Sequence, residues 1–115
     1  MANTFKVVTK AGVTSADVIY TVAGSTTTII LGLIIGNTTS GAITGTVTLG
    51  TDTANRAGAN NETNQDVELI TSAAIPANSS LEFMGGNKII METTDTLTVT
   101  GSGAVDIALS VMEIT

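Results

Sequence analysis

The chain has 115 residues, ten acidic side chains against four basic ones, and neither histidine nor cysteine. The four cations (Lys6, Lys10, Arg56 and Lys88) are scattered and the net charge is −6. No stripe exists to neutralise phosphates, so neither nucleic acid nor an anionic membrane surface is expected as a partner. Without histidine and cysteine, catalytic triads and dyads, zinc sites of the usual ligands and a disulfide framework are all excluded. Apolar residues make up 43% of the chain, enough for one folded domain over residues 1–115.

The chain starts Met1-Ala2-Asn3-Thr4-Phe5, with no basic segment and apolar run of a signal peptide, and the protein is expected to be made in the cytoplasm. Period two then recurs along the sequence. Val18, Tyr20 and Val22 alternate with Ile19 and Thr21. The run Thr28 to Ile35 is apolar on both faces. Such a strand is either central and covered on both sides, or its second face meets another subunit. Seven apolar residues, Ile29 to Ile35 with Gly32 among them, fall far short of the ~20 that span a bilayer. Ile43, Val47 and Leu49 alternate with Thr44, Thr46 and Thr48, and Gly45 on the apolar side marks a bulge or a close backbone approach.

Thr51 to Gln65 is polar throughout and rich in asparagine. It is long for a loop, and reads as either a solvated insertion or a contact arm. Beyond it, Pro76 to Ser79 carries turn chemistry. Gly85-Gly86-Asn87 reads as a hairpin loop that sets Phe83 opposite Ile89 and Leu81 opposite Met91. Leu97 and Val99 lie between threonines, and Val105, Ile107, Leu109 and Val111 form the cleanest stripe. These elements predict an all-β protein, an antiparallel β-sandwich or jelly-roll-like fold of about eight or nine short strands.

Chemistry is sparse. Ser–Lys catalysis needs a buried lysine, and Lys6, Lys10 and Lys88 read as strand-end or turn residues. Glu82 and Glu92 are the remaining carboxylate pair, but three aromatic residues are too few to line a sugar cleft. Asp52, Asn55, Asn60, Asn61, Glu62, Asn64 and Asp66 could offer oxygens to calcium, but their spacing is not that of an EF-hand loop. No enzyme activity, no cofactor and no metal are expected. The two Thr-x-Thr segments read as the solvent faces of ordinary strands.

The start Met-Ala-Asn-Thr-Phe-Lys, the segment Thr26 to Leu33, the turn Ile75 to Leu81 and the ending Asp106 to Thr115 together resemble small virion structural proteins of tailed bacteriophages, especially phages of cyanobacteria and marine bacteria. That resemblance implies a β-sandwich in the virion, made in the host cytoplasm. It implies a capsid cement or decoration protein, a homotrimer that clamps the major capsid protein; the alternative is a tail, baseplate or fibre component touching the host surface. The expected contacts are one face of Thr28 to Ile35 (Ile29, Leu31, Leu33 and Ile35, or Ile30 and Ile34), an N-terminal arm of Ala2, Asn3, Thr4 and Phe5, and Asn55, Arg56, Asn60 and Asn61 in the polar loop.

Overall fold

The computed structural model describes residues 2–51, 65–83 and 88–115. Among them are nine strands and no helix: β1 (Asn3–Val13), β2 (Asp17–Thr21), β3 (Thr27–Asn37), β4 (Ile43–Gly50), β5 (Asp66–Ile75), β6 (Ser80–Phe83), β7 (Ile89–Met91), β8 (Thr96–Gly101) and β9 (Val105–Ile114). They form two antiparallel sheets packed as a β-sandwich. One has the order β1-β9-β3-β6, with β7 also paired to β3; the other has the order β2-β8-β4-β5. The sheets meet over Ile30, Leu33 and Ile35 of β3, Leu97 and Val99 of β8, and the full stripe Val105, Ile107, Leu109 and Val111 of β9, all at most 4% exposed. β-branched and leucine side chains fill this layer, as the scarcity of aromatics requires.

Most connections carry the chain from one sheet to the other, and turn residues make that possible. At the β5–β6 crossing the Ser79 amide donates to the Pro76 carbonyl at 3.3 Å, with Asn78 in the left-handed region at φ 58. Asparagine tolerates that conformation at the third position of a turn. Asn37, at the end of β3, pins this crossing from beneath. Its Nδ2 lies 2.8 Å from the Gly41 carbonyl, 3.0 Å from that of Ile75 and 3.1 Å from that of Pro76. Its Oδ1 accepts from the Thr39 amide and hydroxyl at 2.8 and 2.7 Å. At the β8–β9 crossing, a Cβ on Gly101 would stand 2.6 Å from the Gly103 carbonyl oxygen, so only glycine fits.

Three sequence expectations are corrected by the pairing. β6 and β7 do not form a hairpin with each other. Both lie along the same flank of β3, with Leu33 opposite Phe83, Ile35 opposite Leu81, Ile30 opposite Ile89 and Thr28 opposite Met91. Burial of Leu81, Phe83, Ile89 and Met91 on one face is satisfied equally by either pairing, and the long β3 offers more backbone partners than either short strand. In β2 the register shifts between Val18 and Tyr20. That shift turns Ile19 and Val22 inward and leaves Val18 49% exposed. Lys6 and Lys10 lie within β1 rather than at strand ends. The glycine in β4 behaves as expected: Gly45 is buried, sits at a register shift, and its Cβ position is 3.2 Å from Ile75 Cδ1.

Candidate interaction face

β3 decides the geometry of the outer face. Its register against β9 shifts between Ile30 and Gly32, so Leu31 is the extra residue of a bulge. The alternation therefore changes phase: Ile30, Leu33 and Ile35 all face the core, whereas Ile29 and Ile34 face outward. Leu33 and Ile35 are at most 1% exposed and cannot serve as a subunit contact; Ile29 and Leu31 are half-buried, and Ile34 is 46% exposed. The four residues do not share one outward stripe because the bulge splits them.

The outward residues line up across strands. Phe5 of β1 pairs with Met112 of β9, Met112 with Ile29 of β3, and Ile29 with Ile90 of β7. This apolar row crosses the whole sheet, with Phe5 at 70% and Ile90 at 56% exposure at its ends. The next row is small: Val7, Ser110 and Gly32. Beyond it come Thr9, Ala108, Ile34 and Glu82. The small residues leave a hollow of about 230 Å³ lined by Gly32, Leu33, Ile34, Glu82, Phe83, Ala108 and Ser110. Glu82 is the charged group among the described residues of these rows, and Asp106, opposite Gly36, follows in the next. The face is thus apolar at one end and acidic at the other, and it can take up an apolar side chain from a partner.

Ala2, Asn3, Thr4 and Phe5 are exposed, but they are not a detached arm. Asn3, Thr4 and Phe5 belong to β1 and pair with Ile114, Glu113 and Met112, and Ala2 and Thr115 exchange both backbone hydrogen bonds at 3.1 and 3.0 Å. Asn55, Arg56, Asn60 and Asn61 lie outside the described residues, as do most of the oxygen donors weighed for calcium. Glu82 points outward from β6, whereas the Glu92 amide donates to Asp95 Oδ2 at 2.9 Å in the turn before β8. Met112, Ile90 and Val7 were missed from the sequence. Met112 occupies the outward phase of the β9 alternation, and that phase was the available signal. The two Thr-x-Thr segments are neighbours in the other sheet, with Thr46 opposite Thr100 and Thr48 opposite Thr98.

Ion pairs tie β1 to β9 and to β2. Lys6 reaches Glu113 at 2.8 Å and Lys10 reaches Asp17 at 3.1 Å. Glu113 also accepts from the Tyr20 hydroxyl at 2.6 Å, and that hydroxyl oxygen lies 2.7 Å from Thr28 Oγ1. The Lys6 hydrogen bond and then the Tyr20 one hold the Glu113 carboxyl below its ordinary range. Burial, followed by the bond to Glu113, pushes the Tyr20 phenol up to about 12.

No protein-family model matches the chain, and no curated protein matches it. A solved structure described as Bacillus endospore appendages, a family of disulfide-linked pili, superposes with a TM-score of 0.49 and 16% identity, over 97% of this chain and 84% of that one. No helix among the described residues is long and apolar enough to cross a membrane.

Proposed function

We propose that this chain is a non-enzymatic virion structural protein: a capsid cement or decoration protein that binds the major capsid lattice through the outer face of the β1-β9-β3-β6 sheet. The observation that carries the reading is the exposed row Phe5, Met112, Ile29 and Ile90 beside the hollow at Gly32. Monomers seldom leave a contiguous apolar row uncovered unless something docks there. The resemblance to small phage virion proteins supplies the class of partner.

The mechanism is mass action. A protein that binds only the assembled lattice stabilises it by its binding free energy, about 1.4 kcal/mol for each tenfold in affinity at saturation. Apolar burial supplies the contact, since the charged groups among the described residues of this face are few and all acidic.

Deleting the chain from the particle tests this. The capsid should release its DNA at a lower temperature while adsorption to host cells stays unchanged. Normal capsid stability with lost adsorption would move the protein to the tail or fibre. Absence of the chain from purified particles would reject a virion role altogether.

A further inference from the structure

The four edges of the two sheets are unequal. β6 and β7 are short, β2 has five residues and a register shift, and β5 carries register shifts, Ser72 at φ 49, and the carboxylates Asp66 and Glu68. Short strands, bulges and charges are the devices that keep edges from pairing. β1 is neither short nor bulged over most of its length: it has 11 residues and pairs with β9 without a shift from Asn3 to Lys10. Its lysines are spent elsewhere, since Lys6 and Lys10 are held by Glu113 and Asp17 of the same chain.

The hydrogen-bond phase of the free edge follows from the last pair of the ladder. Ala2 and Thr115 exchange both backbone bonds. In an antiparallel pair such residues alternate with non-bonded ones, so the even-numbered residues of β1 direct their N–H and C=O groups to β9. Asn3, Phe5, Val7 and Thr9 direct theirs to the free edge. The same four side chains lie on the outer face and carry no charge.

We propose that β1 is a self-association edge, at which two copies pair β1 against β1, antiparallel, about a two-fold axis at Val7. A two-fold perpendicular to the sheet keeps outer residues opposite outer residues. Centring on Lys6 or Val8 would set lysine against lysine, as Lys6 with itself or Lys6 with Lys10. Centring on Phe5 avoids that clash but shortens the overlap, and centring on Thr9 carries the overlap into the register shift between Lys10 and Val13. At Val7, Phe5 faces Thr9, Lys6 faces Val8 and Lys10 faces Thr4 of the second copy, and the overlap runs from Asn3 to Ala11. The apolar rows of both copies then join into one outer surface. A two-fold makes a dimer rather than the trimer implied by the phage resemblance, and it stands whether or not the dimer then sits on a capsid.

Sedimentation equilibrium of the purified chain at about 100 μM should give twice the 11.6 kDa of one copy. Val7→Glu and Val7→Lys place like charges across the axis and should each be monomeric with unchanged far-UV dichroism, because Val7 is 64% exposed. Mixed one to one, they should recover the dimer, glutamate of one against lysine of the other. In the unsubstituted chain, amide exchange at Phe5, Val7 and Thr9 should slow about tenfold from low to high concentration, and at Lys6 and Val8 much less. A monomer, a trimer, a mixture that stays monomeric, or concentration-independent exchange at Val7 overturns the proposal. So does an edge that pairs only with a lattice strand, since the purified chain would then be monomeric.

Discussion

Tyr20 on β2 donates its phenolic hydrogen bond to Glu113 on β9 at 2.6 Å, joining the two sheets through a carboxylate that also holds Lys6. Tyr20→Phe removes the donor and leaves Glu113, whose side chain is 14% exposed, short of a partner. Stability should fall by about 1–2 kcal/mol, measured by urea unfolding near neutral pH.

The same pair sets two pH limits. The Tyr20 phenol has a raised pKa, so the stability it contributes is full below its ordinary 10.0 and is lost as pH rises towards about 12. Glu113 has a lowered pKa, so its contribution is full above the ordinary 4.5 and is lost as pH falls through the depressed value. Melting temperature followed against pH should show both losses, and Tyr20→Phe should remove the alkaline one.

Asn37 is 5% exposed and serves three carbonyls and two Thr39 groups. Asn37→Asp keeps the acceptor towards Thr39 but sets a carboxylate against the carbonyls of Gly41, Ile75 and Pro76. A loss of about 2–4 kcal/mol in urea unfolding is expected, because a buried polar cluster is broken on one side.

Two glycines should behave oppositely. Gly101→Ala drives a methyl group against the backbone oxygens of Gly103 and Val13, at 2.6 and 3.1 Å, and should destabilise by about 2 kcal/mol or more. Gly32→Ala meets no atom within 4 Å and should melt within a few degrees of the parent protein. Calorimetry of the two variants compares them directly.

These outcomes also mark what the sequence could disclose. The stripes Val105 to Val111 and Leu97 with Val99 have unbroken period two, so their buried faces were readable, and with them the sandwich. The close approach at Gly45 was readable because a glycine interrupted an apolar phase, although the extra residue of the register shift beside it belongs to β5. Leu31 and Ile19 gave no such sign: a bulge residue of ordinary type leaves the apolar pattern intact while reversing which residues face out. Strict alternation therefore reads Leu33 and Ile35 as contacts, whereas both lie in the core. β1 was hidden for another reason. It is an edge strand with nearly every residue exposed, so burial leaves little pattern in it, and its partner β9 lies at the other end of the chain. The outer row needed the β1–β9–β3–β7 register, which only the tertiary pairing supplies.

The most direct test of the docking face uses particles from which the chain has been deleted. Adding back the purified chain should restore the temperature at which DNA is released. Ile90→Glu, a change at an exposed position that puts charge at one end of the apolar row, should fold normally yet bind these particles at least about tenfold more weakly and restore little. Full restoration by Ile90→Glu would contradict docking through this face.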